Sequence, residues 1–572
     1  MERERIVGAL EELAALSELL GENPFKARAY ANAARTLSKA SQPVESWGEP
    51  GVLEALPGVG KAIAEKVREQ IATGSVHKLE ELRAEVPPGV RGLLAVPGLG
   101  PKKAGVLWRQ LGLQSAGELE YACLENRLVA LPGFGPKTQA KVLEGVRLLA
   151  GRRGKLLLPS ALVAQAALAA RVERAAPGAR WLLAGEAARL CPVVSGLEVI
   201  LEAGRAEKAA AAMGLSRSAP GLFEGESPEG EPLRLRAAAA EHLGTAAVWF
   251  ASGEPFREAL RAELARSGLA WTEEGLFREG RAVPTPSEEA FWRAAGRPPV
   301  PPECRELPEA LEADLSDLVA EGDLRGAFHV HTDWSDGGAT LEEMVAAAEA
   351  LGWEYLGLCD HSASAVYAHG LDPERLVAQR EAIAEAQARH PGIALFAGVE
   401  SDILGGGELD YSDELLATLD LVVASVHGRF GLDEEAQTAR LVRAVSHPAT
   451  TMLGHPTGRL LLSREPYAHR WEEVEEALVG AGAAVELNAN PHRLDVDWTR
   501  LPSLRRRGVR VAVNPDAHSV AGLADVRYGI WAARKGLARR GEVLNTLDRE
   551  AVGAWLRSKR ARRPQSRDGG GE

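Results

Sequence analysis

Between Gly326 and His518 the chain repeats one pattern: a short run rich in aliphatic residues, a residue able to bind a metal, then a stretch with helical spacing. The runs fall at 326–331, 355–360, 394–400, 421–427, 451–455, 484–488 and 509–516. Strands alternating with helices in this way predict a parallel α/β barrel. One intervening stretch, 340–351, opens with Thr340 and Glu343 at capping-box spacing. In such a barrel the chemistry gathers at the C-terminal ends of the strands. His329 and His331, two apart on an extended segment, point to one face, and Asp336 follows in the next loop. His361, Glu400, His427 and His455 end the next four runs, and Asp516 with His518 closes the ring. Eleven of the thirteen histidines lie between His329 and His518, so the arrangement is not scattered. A single strand-end histidine is more often a packed core residue than a ligand. Nine ligand-type residues recurring at one rim point instead to a polynuclear metal site. Imidazole and carboxylate donors without thiolate suit Mn²⁺, Zn²⁺ or Fe²⁺, and ligand type alone does not choose among them. Arg493, beyond the sixth run, is either a phosphate clamp or the partner of Asp495.

At 572 residues the chain exceeds what one core supports and divides into several domains. Its apolar and charged fractions, 45% and 26%, are those of a soluble globular protein, and no apolar run nears the ~20 residues that span a bilayer. The charged start Met1-Glu2-Arg3-Glu4-Arg5 is not that of a signal peptide. Cys123, Cys191, Cys304 and Cys359 form no CxxC pair, which argues for a reducing, cytoplasmic setting and against a disulfide framework. The net charge of −13 argues against phosphate binding by the whole surface, though not against binding at local helix termini.

Such termini recur upstream. Leu56-Pro57-Gly58-Val59-Gly60-Lys61, Val96-Pro97-Gly98-Leu99-Gly100-Pro101-Lys102 and Leu131-Pro132-Gly133-Phe134-Gly135-Pro136-Lys137 each separate two short apolar helical segments. Paired glycines allow the backbone close to a ligand. The following helix offers unpaired N–H groups and its positive end, and the lysine adds charge. One such sequence is a mere loop as often as not; three copies with the lysine in place look like helix-hairpin-helix motifs, which hold the DNA backbone without reading bases. DNA is therefore the expected partner, and a monomer the expected state.

The middle of the chain extends this likeness. Trp249-Phe250-Ala251-Ser252-Gly253, Glu273-Glu274-Gly275-Leu276-Phe277, Ser287-Glu288-Glu289-Ala290-Phe291 and Pro301-Pro302-Glu303-Cys304-Arg305-Glu306 resemble the bacterial family X DNA polymerases that carry a C-terminal PHP (polymerase and histidinol phosphatase) domain. The resemblance runs from the first hairpin to His518. It implies helical helix-hairpin-helix domains, a nucleotidyltransferase-like palm and thumb, and a (β/α)7-type PHP barrel, with expected limits 1–85, 86–150, 151–235 (palm), 236–300 (thumb), 301–322 (linker), 323–555 (PHP) and 556–572 (disordered basic tail). It implies that the nine rim residues hold three divalent ions, with Glu400 bridging two, in a 3′–5′ exonuclease or 3′-end phosphoesterase that serves DNA repair on gapped or 3′-ended duplex. It also brings Lys66 to the position of a lyase nucleophile, against which stands a plain phosphate-contacting or solvated lysine.

The chain departs from the family at the polymerase site. Gly196 and Glu198 stand where two metal-binding aspartates would be, Arg234 stands for the third, and Glu186 replaces a hydroxyl expected at the triphosphate. Two-metal phosphoryl transfer needs carboxylates around both ions. Polymerase activity is therefore expected to be lost or weak; the alternative is a gap-filling polymerase with an accessory nuclease.

Overall fold

Each Pro-Gly-x-Gly segment folds as the same tight turn, because its first glycine supplies a left-handed backbone: φ is 80° at Gly58, 82° at Gly98 and 86° at Gly133. The residue between the glycines then closes the turn, Val59 N donating to Leu56 O at 3.1 Å, Leu99 N to Val96 O at 3.1 Å and Phe134 N to Leu131 O at 3.0 Å. Val59, Leu99 and Phe134 are buried in one shared core, each worth roughly 1.5–3 kcal/mol of burial. The computed structural model describes residues 2–40, 42–150, 154–228 and 230–560. It divides into two compact units, residues 1–150 and 151–572. The first is helical throughout, with helices Glu2–Leu20 and Pro24–Ser38 ahead of the hairpins and Lys61–Thr73, Pro101–Leu111 and Pro136–Ala150 following the three turns.

The second unit opens with a five-stranded sheet in the order Trp181–Ala184, Leu197–Glu202, Pro232–Ala238, Leu222–Glu226, Ser216–Ala219, in which only Leu197–Glu202 and Pro232–Ala238 run parallel. Helices Leu158–Ala175 and Ala203–Ala212 contribute Leu168, Val172, Ala206 and Ala209 to its core. Helices Leu243–Phe250, Glu254–Arg266 and Glu288–Ala295 enclose a second core with a small antiparallel sheet.

The barrel sheet has seven parallel strands: Gly326–Ala327, Tyr355–Leu358, Ala394–Asp402, Leu421–Ser425, Met452–Leu453, Ala484–Asn488 and Val511–Asn514, paired in that order. Beyond the first strand the chain stays extended, and a bridge between Val330 and Ala517 joins the first and last segments of the series. Strand interiors are Val, Leu and Ala because both faces are covered. The helix expected at 340–351 is Leu341–Ala350, with Thr340 and Glu343 forming the capping box.

One expectation needs correction, and one acidic segment departs from what its composition favours. The acidic segment near 309–321 does not form a helix; it makes short 3₁₀ turns at Pro308–Leu311 and Glu321–Asp323. Between them the chain is held extended by a bridge from Leu318 to Arg539 and by Val319 N donating to Ala538 O at 3.1 Å. At the other end the helix Arg549–Arg560 runs into the expected tail, because Val552 and Leu556 are buried and Lys559 Nζ donates to Ala481 O at 2.8 Å. The rest of that tail, 561–572, lies outside the described residues.

Candidate metal centre and nucleic-acid interface

All nine rim residues converge at the C-terminal end of the barrel strands. Alternation on the first extended segment sends Phe328 and Val330 into apolar clusters and His329 and His331 inward, both fully buried. Glu400, near the end of the longest strand, is the hub. Its carboxyl oxygens lie 2.8 Å from His455 Nε2, 2.9 Å from His361 Nδ1, 3.1 Å from His427 Nε2 and 3.4 Å from His329 Nε2. Asp516, at φ 51°, approaches His331 Nε2 to 3.1 Å, and the His331 and His518 rings stack with centroids 4.1 Å apart.

The donors gather into three groups, in each of which the ligand atoms lie within 4.8 Å of one another: His331, Asp336, His361 and His518; His329, His331 and Asp516; His361, Glu400 and His427. His455 stands outside these groups and touches Glu400. Several buried polar atoms here, His331 Nδ1, Asp336 Oδ2, His361 Nε2 and His455 Nδ1, have no hydrogen-bond partner among the described residues. Burying such atoms unpaired is costly. Divalent cations would satisfy them, so the donor set fits a polynuclear metal centre.

The electrostatics have the same origin. Burial would lower the His427 imidazole, but the carboxyl groups of Glu400 and Asp402 override it and hold it up at about 10. At His331 burial is reinforced by the neighbouring imidazoles of His518 and His361, which take it down to about 3. Burial works to raise Asp336, and His361 and His518 reverse it, so that carboxyl is lowered. Metal ligation needs deprotonated imidazole and carboxyl groups, so a cation bound by this donor set would release protons from it.

Three supporting carboxyl groups were not among the expected site residues. Glu486 Oε1 accepts from His329 Nδ1 at 2.7 Å, and its Oε2 accepts from His455 N at 2.7 Å. Asp402 pairs with His427 Nδ1 at 2.5 Å. Asp360 accepts from Thr332 N at 2.9 Å and Thr332 Oγ1 at 2.7 Å, which fixes the loop carrying Asp336. That loop can close because Gly337 lacks a side chain: a Cβ there would lie 2.6 Å from the Thr332 carbonyl. Arg493 is buried with Nε 3.9 Å from Asp516 Oδ2, beside the cluster, while Asp495 accepts from Thr457 N at 3.0 Å and Thr457 Oγ1 at 2.9 Å.

In the first unit Gly60 and Gly100 are the N-caps of their helices, and Gly135 directly precedes Pro136–Ala150. Lys61, Lys102 and Lys137 stand exposed in the first turns of the three helices. Lys66 lies one turn further along Lys61–Thr73 and is half-buried.

The expected polymerase positions surround a cleft of about 450 Å³ that includes Gly196, Glu198, Arg234, Arg236 and Trp249. Glu198 and Arg234 are neighbours across the parallel ladder. Glu198 is paired with Arg236, and Arg234 Nε donates to Glu224 at 3.1 Å. Glu186 accepts from Ser195 N at 2.5 Å.

Fold and site define a protein of the helix-hairpin-helix class that carries a PHP barrel. A helix-hairpin-helix domain model matches residues 1–76, a SAM-like helix-hairpin-helix tandem matches 90–147, and the PHP domain model matches 327–490. The chain is 31% identical over 570 residues to the DNA polymerase/3′-5′ exonuclease PolX of Bacillus subtilis (strain 168), covering 97% of this chain and 100% of that relative. It belongs to the PolX family. Its PHP region is also 29% identical over 178 residues to a probable phosphatase of Syntrophotalea carbinolica, across 30% of this chain and 67% of that protein. A probable phosphatase of Caldanaerobacter subterraneus subsp. tengcongensis is 29% identical over 137 residues, across 22% of this chain and 52% of that protein. The chain is therefore an enzyme of hydrolytic or nucleotidyl-transfer chemistry with a metal-dependent domain, and its hairpins serve DNA binding. No helix among the described residues is long and apolar enough to cross a membrane.

Proposed function

We propose that this protein processes DNA 3′ ends by metal-dependent phosphodiester hydrolysis in the barrel, as a 3′–5′ exonuclease or 3′-end phosphoesterase. The observation that carries the reading is Glu400, buried and approached by His455, His361, His427 and His329 within 3.4 Å. His329, His331, Asp336, His361, Glu400, His427, His455, Asp516 and His518 would hold up to three Mn²⁺, Zn²⁺ or Fe²⁺ ions. Such ions supply Lewis acidity and lower the pKa of water. Of the chain's own groups, Glu486 and Asp402 orient His329 and His427 so that each ring's Nε2 faces the cluster. Arg493 would hold a phosphate oxygen beside Asp516. The three hairpin turns, with Lys61, Lys102 and Lys137, would grip the duplex backbone, and Lys66 acts there as a further phosphate contact.

A second reading, a gap-filling polymerase with an accessory nuclease, draws on the polymerase activity in the name of the Bacillus relative. Against it stands the pairing of Glu198 with Arg236 in a cleft where Gly196 and Arg234 replace carboxylates. The test uses His329→Ala/His331→Ala in the full chain. With a 3′-labelled duplex and Mn²⁺, degradation is expected to fall by at least about a hundredfold; undiminished degradation would put the nuclease elsewhere. The same variant, which cannot mask synthesis by degradation, is expected to give no primer extension on gapped DNA with Mg²⁺ or Mn²⁺. Extension would favour the second reading.

A further inference from the structure

Basic residues are distributed unevenly around the metal centre. On the loops that leave the C-terminal ends of the barrel strands, every one lies after the fourth, fifth or sixth strand: Arg429, Arg459, Arg464, Arg470, Arg493 and Arg500. The loops after the other four strands, 328–340, 359–372, 403–412 and 515–525, each carry two acidic residues and no lysine or arginine. A polyanion nearing the centre is therefore drawn to one side of the rim and repelled from the other. Most arginines on the basic side are already engaged. Arg459 donates to the Arg493 and Leu494 carbonyls and pairs with Asp497, Arg470 pairs with Glu473, and Arg500 lies 4.0 Å from Glu472. Arg493 is buried beside Asp516.

Arg429 differs. It is exposed, two residues past His427, and makes no ion pair or side-chain hydrogen bond among the described residues. Its backbone is left-handed, with φ 57°, a conformation that costs a non-glycine residue energy and persists only where the surroundings impose it. Buried Arg440 imposes it: its guanidinium donates to Gly428 O at 2.9 Å, to Leu404 O at 2.9 Å and to Ile403 O. Those bonds tie the loop after His427 to the loop after the strand that carries Glu400. The Arg429 guanidinium lies against that second loop, since a Cβ on Gly405 would collide with it. Next along the chain, the Phe430 ring carries the guanidinium of Arg464, 4.2 Å from its centroid. An exposed cation is thus fixed at the rim beside the loops that leave Glu400 and His427, and no carboxyl group of the described residues pairs with it.

We propose that Arg429 holds the backbone phosphate on the 5′ side of the scissile phosphodiester, so that the DNA strand leaves the metal centre over the loops after the fourth and fifth strands. The inference rests on the nuclease reading and adds the side from which the strand enters. In removal of a 3′ nucleotide the rest of the strand lies on the 5′ side of the bond cut. The reacting phosphate is served by the centre's own donors and by Arg493. Arg429 is not among these, yet its Cα lies within about 7 Å of that of His427. A second phosphate at such a short remove from the first belongs to a strand and not to a free phosphate or a mononucleotide. The planar fork of arginine matches the non-bridging oxygens of that phosphate.

The experiment uses the full chain loaded with Mn²⁺ and two 3′-labelled duplexes that differ at one linkage. Next to the scissile bond on its 5′ side, the labelled strand has a phosphodiester in one duplex and an uncharged methylphosphonate in the other. The unaltered protein is expected to remove the terminal nucleotide from the uncharged strand with kcat/KM lower by about tenfold, the scale of one charge-assisted hydrogen bond. Arg429→Asn removes the charge, and asparagine tolerates a left-handed backbone, so the loop keeps its shape. This variant is expected to lose about tenfold on the all-phosphate strand and to cleave the two strands at similar rates, with its metal content unchanged. Arg429→Lys is expected to regain part of the difference. A preference that persists in Arg429→Asn, or an unaltered protein that degrades both strands equally, would overturn the assignment and leave the nuclease reading standing. So would a loss of activity in Arg429→Asn that comes with a loss of metal, because Arg429 would then act through His427. If the unaltered protein degrades neither strand, the nuclease reading falls and the assignment with it.

Discussion

Glu486 sits in the one barrel strand that ends without an expected ligand, and it accounts for how the neighbouring ligands are held. Its carboxyl oxygens receive His329 Nδ1, His455 N, Asn514 Nδ2 at 3.0 Å and Asn488 Nδ2 at 3.2 Å, with no exposure to water. Glutamine in its place would turn an NH₂ group toward donors, so at least one of these contacts must fail. Glu486→Gln is expected to weaken metal retention by roughly 10- to 100-fold while leaving DNA binding intact, measured by metal analysis after dialysis. Retention equal to the unaltered protein would remove Glu486 from the support of the centre. In the cleft proposed to be the remnant of a polymerase site, the decisive residue is Gly196. Its φ of 154° favours glycine, and a Cβ there would lie 2.9 Å from the Pro232 carbonyl oxygen and 3.0 Å from the Pro232 Cβ. The backbone there leaves no room for a larger side chain. Gly196→Asp is expected to destabilise the protein by about 1–3 kcal/mol in denaturant titrations. Together with Glu198→Asp and Arg234→Asp it is expected to restore no primer extension; recovered synthesis would show that only side chains had been lost.

Among the elements, the junction at Asp525 gives a prediction in which pH decides the sign. This residue ends the 3₁₀ turn Val520–Asp525 and precedes the helix Val526–Lys535, where its side chain makes no capping hydrogen bond. Burial pushes its carboxyl up to about 6, and Arg527 only partly offsets that. The folded state thus binds a proton more tightly than the unfolded chain, so stability falls as pH rises from the ordinary carboxyl range to about 6. Asp525→Asn escapes this loss. It is expected to raise stability by about 1 kcal/mol above pH 7, after discounting for partial exposure, and to give no gain near pH 4. A gain of equal size at both pH values would mean that ionisation is not the cause. The barrel elements were legible in the sequence because strand-end ligands and helical spacing reinforce each other: the first strand leads into His329 and His331, and the capping box at Thr340 starts its helix where expected. The segment at 309–321 was not, because its acidic composition favours a helix while its conformation is set by pairing with the distant chain at Ala538 and Arg539. For the same reason the supporting roles of Asp360, Asp402 and Glu486 are not legible in the sequence. A carboxyl group within an apolar strand shows its purpose only when the imidazole it holds is known.

At the scale of the whole molecule, a net charge of −13 has to be reconciled with DNA binding. The barrel concentrates carboxyl groups around its metal centre, so attraction to DNA must be local, and the repeated hairpins are where the chain concentrates it. Each offers a helix N-terminus after a left-handed glycine and an exposed lysine in the first turn. Backbone contacts of this kind position a duplex without reading its sequence, which suits the proposed action at DNA ends of any sequence. They also displace counterions, so binding should weaken steeply with salt. Replacing Lys61, Lys102 and Lys137 together by alanine removes the charge but keeps the glycine turns and their buried Val59, Leu99 and Phe134. The variant is expected to remain folded and to bind duplex DNA more weakly. The slope of log Kd against log salt should fall by roughly 2 to 3, since each phosphate contact contributes about 0.9 on duplex DNA. Fluorescence anisotropy with a labelled duplex, titrated from about 50 to about 200 mM salt, reads this slope. A weaker affinity with an unchanged slope would mean that the lysines act through the fold and not on phosphate. An unchanged affinity would move the DNA-binding surface off the hairpins.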